Sequence, residues 1–288
     1  MRLIRSLLVP AAIITALGTM ALAQQDVERV TVKFSDPSRP GKLRVHLTMG
    51  GITVKGANRN DVAIEARPRA DTSRGFVGGR GRGAGRGRAN SDAAPTTGLR
   101  RLTQSAGFTV EEENNELVVA GSFNQALDFH IQVPARTNLQ LSAINDGDIV
   151  VDAVEGEHEI NNVNGPVTLT KIAGSVVAHA VNGKVLVALT RVTPEKPMAF
   201  TSLNGVVDVT LPASTKAALK LRSDMGDVFT DFDLQLKPAA AAPIQDTRRS
   251  GGRFRLEVNN AISGAINGGG PEFELRTFTG NVYLRKGP

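Results

Sequence analysis

The chain has 288 residues, a formal net charge of +6, no cysteine, no tryptophan and a single tyrosine. Lack of cysteine excludes disulfides, thiolate metal sites, cysteine nucleophiles and a cysteine-linked lipid anchor. The basic excess is local: residues 71–101 hold seven arginines against two aspartates. Setting aside that surplus of five, and the two arginines near the N-terminus, leaves the remainder at about −1, so the charge says nothing about the fold.

In chain order, the first feature is an export signal. Met1-Arg2-Leu3-Ile4-Arg5 is a basic start, Leu7 to Leu22 is apolar, and Ala21-Leu22-Ala23 is a small-x-small cleavage site before Gln24. The apolar run is short for a membrane anchor and is interrupted by Pro10 and Gly18. No later segment is long and apolar enough to span a bilayer as a helix. Residues 1–23 are therefore expected to be removed, with delivery to the periplasm or cell surface and no stable membrane span. The remaining chain of about 265 residues is long enough to bury a substantial core.

Strand signals follow. "RVTVKF" (29–34), "LRVHLT" (43–48), "GITVKG" (51–56), "DVAIEA" (61–66), "FTVEEE" (108–113), "ELVVAG" (116–121) and "FHIQVP" (129–134) alternate apolar with polar residues. No window after residue 24 sustains a helical apolar period, so an all-β domain is expected over 24–288. Two segments interrupt it. Residues 71–99, rich in Gly and Arg, and residues 237–252, "KPAAAAPIQDTRRSGG", have too little apolar surface to offset the entropy of ordering. Both are expected as mobile loops or disordered inserts.

From residue 146 glycine recurs every nine positions, at Gly147, Gly156, Gly165, Gly174 and Gly183. Most blocks read G-x-Φ-x-Φ-x-x-Φ-x, as in Gly165, Val167, Leu169, Ile172. Positions +2 and +4 share one face of a strand. A bend between +4 and +7 brings all three residues inward, and the glycine supplies a second bend. Asn-Gly also signals a hairpin, so an antiparallel meander or sandwich is the competing fold. A meander gives no reason for every strand to repeat one direction-dependent pattern; a chain winding in one sense does. The expected fold is a single-stranded β-solenoid with two nine-residue sides, about 18 residues per turn, and with Asn164 stacked on Asn182. Looser copies begin at Gly51, Gly205, Gly226, Gly264 and Gly280. The irregular N-terminal strands and the region near residue 240 are the candidate caps for the open sheet edges.

The strand "DFHIQVP" (128–134), "LQLSAINDGDIVV" (139–151), the repeated "NG-x-V-x-V" units and "ISGAINGGGPEFELRTFTGNVYLRK" (262–286) together resemble the bacterial DUF4097 adhesin-type family of the toastrack β-helix group. The resemblance covers about residues 29–286, and the insert at 71–99 departs from it. It implies a single-stranded β-helix in the cell envelope, loosely linked to adhesion or envelope stress, and it brings no catalytic residues.

Candidate chemistry is sparse. Asp146, Asp148, Asp152, Glu155, Glu157 and Glu159 bunch around His158, and two carboxylates at suitable separation perform acid–base work on glycans. The simpler reading is that Asp146 and Asp148 serve a turn and the glutamates form the wet face of a strand. A sugar-cleaving groove also needs aromatic platforms, and Tyr283 is the single tyrosine. "NDGD" resembles part of a calcium loop, but the ligand order that follows is wrong and the doubled glycine of calcium-binding nonapeptides is lacking. His46, His130, His158 and His179 share no ligand spacing, and His158, at an inward position, reads as a satisfied core residue rather than a metal ligand. No metal or cofactor is expected.

The arginines Arg74, Arg80, Arg82, Arg86 and Arg88 are candidates for salt-sensitive contact with a polyanion. An inert surface loop is the plainer alternative. The function expected is a non-enzymatic envelope scaffold or adhesin-like binding module for a surface polymer or protein. The alternatives are a stress-sensing module acting through a membrane partner, and a β-helical polysaccharide hydrolase or lyase using residues 146–159.

Overall fold

The computed structural model describes residues 27–69, 107–123, 125–237, 245–246, 254–255 and 261–287. The expected signal segment, the 71–99 insert and most of 237–252 lie outside the described residues. Numbered in chain order, the strands are β1 Glu28–Lys33, β2 Gly41–Met49, β3 Ile52–Ala57, β4 Asp61–Pro68, β5 Phe108–Glu113, β6 Glu116–Gly121, β7 Leu127–Pro134 and β8 Thr137–Asn145. Then come β9 Ile149–Asp152, β10 Glu155–Asn164, β11 Val167–Asn182, β12 Val185–Val192, β13 Met198–Asn204, β14 Val207–Pro212, β15 Ala217–Ser223, β16 Val228–Thr230 and β17 Gln235–Leu236. A separate two-stranded pair, β18 Gln245–Asp246 with β19 Phe254–Arg255, precedes β20 Ile262–Ile266, β21 Glu272–Thr279 and β22 Val282–Gly287. No helix occurs among the described residues, and 20 strands form one mixed, nearly closed sheet.

Most of that sheet is two walls of parallel strands. Wall A runs β6, β2, β8, β10, the C-terminal half of β11, β13, β21, β15. Wall B runs β7, β3, β9, the N-terminal half of β11, β12, β14, β22, β16. Alternate residues point inward into one aliphatic core, in columns such as Ile52, Ile149, Val167, Val185, Val207, Val282. Each such side chain contributes roughly 1.5–3 kcal/mol when fully buried.

Over the regular repeat the expected geometry is present. Ile149 pairs with Val167 and Val167 with Val185, all in parallel, so the hairpin meander does not describe this region. Left-handed backbone at Ala153 (φ 57°) and Lys171 (φ 53°) makes the bend between +4 and +7. The glycines at the other corner stack. A Cβ on Gly147 would lie 1.6 Å from the carbonyl oxygen of Gly50, one on Gly165 2.1 Å from that of Gly147, and one on Gly183 2.1 Å from that of Gly165. Gly205, Gly280 and Gly226 continue the column. At the second corner Gly174 is pressed on Gly156 in the same way, at 1.9 Å. The glycine period is therefore steric: successive turns approach too closely for any side chain.

Beside the first corner runs an asparagine ladder. The Nδ2 of Asn164 donates to Asn145 Oδ1 at 3.1 Å, Asn182 to Asn164 at 2.8 Å, and Asn204 to Asn182 at 2.8 Å. Just inside it, buried Asn162, Ser202, Thr277 and Ser223 donate to the carbonyls of Gly147, Gly183, Gly205 and Gly280, at 2.7–2.9 Å.

Two expectations need correction. A single-stranded solenoid stacks its turns in sequence order, and here that order holds only from β8 to β14. The turn made by β2 and β3 is inserted between those of β6–β7 and β8–β9. The C-terminal turn β21–β22 is inserted between β13–β14 and β15–β16. A parallel edge accepts any strand with the same in–out pattern, and Leu43, Val45, Ile52 and Val54 carry the same pattern as every other turn. The second correction concerns position +7. It is buried at Val154 and Ile172, but Val163 is exposed and Val181 half-exposed, because the bend at Ala153 and Lys171 occurs only in alternate blocks.

Antiparallel strands close the ends. β5 covers β6, while β4 covers β7 and is itself flanked by β1. At the other end β20 covers β15 and β17 flanks β20. Phe108 meets Phe129 edge-on with centroids 5.5 Å apart, and Phe232 is buried near the opposite end. These antiparallel strands end the run of parallel turns, while β16, at the end of wall B, pairs with β22 alone among the described strands.

Candidate functional site

The acidic turn does not assemble into one site. Asp146, left-handed at φ 54°, offers its backbone carbonyl to the guanidinium of Arg69, which also grips Asp128. The backbone carbonyl of Asp148 accepts from Ile52 at 2.9 Å. Both aspartates therefore hold the glycine corner. Asp152 points out from wall B and accepts from Thr170 Oγ1 at 2.9 Å. Glu155, at the opposite corner, pairs with Arg191, and Glu157 pairs with Lys196.

Of the six, only Glu157 and Glu159 meet in one depression. They flank His158 on β10 and, with Lys42, Asn138, Gln140 and Ser175, line a shallow groove of about 410 Å³ on the outer face of wall A. Glu159 accepts from Gln140 Nε2 at 3.2 Å, and the Glu157 amide donates to Asn138 Oδ1 at 2.9 Å.

His158 lies at the floor of this groove, 3% exposed, in an inward column between Leu139 and Val176. Neither ring nitrogen has a hydrogen-bond partner. Burial pushes its pKa down to about 4; the nearby backbone of Val154 and Ala173 and the charge of Glu157 offset this only in part. The imidazole is neutral at physiological pH and is a core residue, as its position in the repeat implies, but its nitrogens are not satisfied as expected of a core histidine. His46 and His179 share an outward column of wall A, and His130 lies on wall B. His179 Nδ1 contacts Thr201 Oγ1 at 2.6 Å. No group of three His, Asp or Glu residues among the described residues is placed to hold a metal.

The outward-facing +7 side chains build a surface feature that the nine-residue period does not reveal. Ile144, Val163, Val181, Leu203 and Phe278 occupy one outward column across five neighbouring turns of wall A. Val163 is 38% exposed and Leu203 and Phe278 are each 46% exposed. At a strand spacing near 4.8 Å the ridge is about 20 Å long. It runs beside the asparagine ladder and perpendicular to the strands. A second unexpected feature lies on wall B, where Tyr283 has an aromatic partner. Phe229 stacks on it at 5.1 Å, and Arg285, paired with Asp208 at 2.8 Å, lies 5.1 Å from its ring centre. The two aromatics are far apart in sequence, so only the β16–β22 pairing reveals them.

Of the structural glycines, Gly147, Gly165, Gly183 and Gly205 form the first corner, and Gly156 and Gly174 the second. Arg74, Arg80, Arg82, Arg86 and Arg88 lie outside the described residues. No helix among the described residues is long and apolar enough to cross a membrane.

No protein-family model and no curated protein matches the chain. Two solved structures are similar at low identity. One, from Clostridium sporogenes, is described as a proposed cell adhesion protein; it is 11% identical, with a TM-score of 0.39, and the match covers 91% of this chain and 100% of that one. The other, a proposed adhesin from Bacteroides fragilis, is 10% identical, with a TM-score of 0.33, covering 91% of this chain and 97% of that one.

Proposed function

We propose that this chain is an exported, non-enzymatic envelope protein: a β-helical, adhesin-like scaffold of the DUF4097 type that presents wall A to a surface polymer or protein partner. The observation that carries this reading is the pairing of an exposed apolar ridge with a polar groove on one rigid face. Monomeric proteins rarely leave an ordered apolar row in water unless it meets something. The dispersal of the acidic residues supports a non-catalytic role, since no two carboxylates of the turn flank a site with an aromatic platform. Removal of residues 1–23 and salt-sensitive contact through Arg74–Arg88 belong to the same proposal.

The test is a binding screen of the processed chain against purified envelope polymers, with and without residues 71–99. Leu203→Asp with Phe278→Asp should abolish retention at constant thermal stability, and Asp148→Ala with Glu157→Ala should leave it intact. Turnover of any glycan that vanishes in the Asp148/Glu157 variant would replace this reading with the hydrolase or lyase one.

A further inference from the structure

We infer that Asn267 is a site of spontaneous covalent modification, converting to aspartate and isoaspartate in the folded chain, while the fold protects three identical sequence pairs. Asparagine followed by glycine is the pair best able to cyclise, because glycine has no side chain to hinder attack by its own nitrogen. The chain has four such pairs: Asn164-Gly165, Asn182-Gly183, Asn204-Gly205 and Asn267-Gly268. In the reaction the glycine nitrogen gives its proton to hydroxide and bonds to the asparagine Cγ. The Cγ–Nδ2 bond breaks, and the nitrogen takes a proton from water and leaves as ammonia. Water then opens the succinimide at either carbonyl, giving aspartate or isoaspartate. The co-reactants are water and hydroxide alone.

The asparagine ladder blocks both halves of that reaction. The amides of Gly165, Gly183 and Gly205 donate to the carbonyls of Asn182, Asn204 and Thr279 at 2.9–3.1 Å, so each attacking nitrogen is tied to the next turn. The side chains are tied as well. Asn164 and Asn182 both donate and accept within the ladder, and Asn204 donates to Asn182 while accepting from Thr279 Oγ1 at 3.0 Å. Gly165 and Gly183 are also pressed on the turn before, so their peptides cannot rotate without parting the strands.

Asn267 lies in the exposed turn between β20 and β21 and is followed by three glycines. Nothing lies within 4 Å of a Cβ built on Gly268, and the Gly268 amide donates to no group among the described residues. The attacking nitrogen is therefore free. Asn267 itself is held by Nδ2, which donates to the carbonyls of Ala213 at 2.9 Å and Thr215 at 2.7 Å. Both bonds must open before Cγ reaches Gly268, so conversion is slower than in the unfolded chain. The reaction then destroys them. A carboxylate only accepts, and here it faces two carbonyl oxygens, so the product releases the connection after β14 from the 267–271 turn.

The test is peptide mapping by mass spectrometry of the full chain kept warm in mildly alkaline buffer, native and in urea. In the native chain Asn267 should gain about one dalton at least about tenfold faster than Asn164, Asn182 or Asn204, since a turn opens locally and the ladder only with the stack. In urea all four should convert at rates within about threefold of one another, because the local sequence is then all that differs. Gly268→Ala should slow conversion at position 267 by about tenfold or more, folded or unfolded. Asn267→Asp should lower the melting temperature by roughly 4 °C, the effect of two lost hydrogen bonds. Native conversion of a ladder asparagine as fast as that of Asn267, or conversion of Asn267 in urea alone, overturns the assignment. An Asn267→Asp chain that melts with the parent overturns the release of the connection.

Discussion

His158 is an imidazole where the repeat otherwise places aliphatic side chains, and its cost depends on pH. In the fold it is neutral down to about pH 4, whereas in the unfolded chain it protonates near 6.5. Above pH 7 both states are neutral and the residue makes no pH-dependent contribution. As pH falls below 6.5 the unfolded chain gains the proton first, so stability drops until the folded imidazole also titrates near 4. The gap corresponds to a loss of about 3 kcal/mol across that window. His158→Leu should remove this pH dependence, with the melting temperatures of the two proteins diverging between pH 7 and pH 4.5 in calorimetry. Asn182 is a contrasting residue, since it donates to Asn164 and accepts from Asn204. Asn182→Ala should break both links of the ladder and cost about 1–2 kcal/mol in chemical denaturation. Its stacking partner was legible in the sequence from an 18-residue offset alone.

At the scale of the element, the glycine columns explain why the nine-residue step is so regular. Each corner glycine lies against the carbonyl of the next turn, so the constraint is distance and falls on every turn alike. Gly165→Ala would force a Cβ to within 2.1 Å of Gly147, and the strands flanking it must separate. The expected cost is about 2–4 kcal/mol in urea unfolding. Gly268→Ala is the control: nothing lies within 4 Å, and only the left-handed φ of 88° is penalised, at about 1 kcal/mol. In–out alternation and corner positions were readable because both are local. The direction of Val163 and Val181 was not, since successive blocks look alike in sequence yet only every second one bends at a left-handed residue. The apolar ridge was hidden for that reason.

For the molecule as a whole, the order of turns was the least legible property. The segments 43–54 and 273–284 carry the same alternation as the central turns, and nothing local says that each slots between two others. Sequence order and stack order make different predictions for a truncation. In a stack wound in order, removing the last turn shortens the array and leaves the rest standing. Here β21 and β22 are bonded on both sides, so deleting residues 272–288 should abolish cooperative melting of the entire chain by circular dichroism. The C-terminal strand also has a mechanical consequence. Tension applied at residue 287 runs along β22, loading its bonds to β14 and β16 together and in shear. Those bonds must yield as a group, so an instrument pulling on that end should meet far greater resistance than one pulling on the outermost β1, which is bonded on one side.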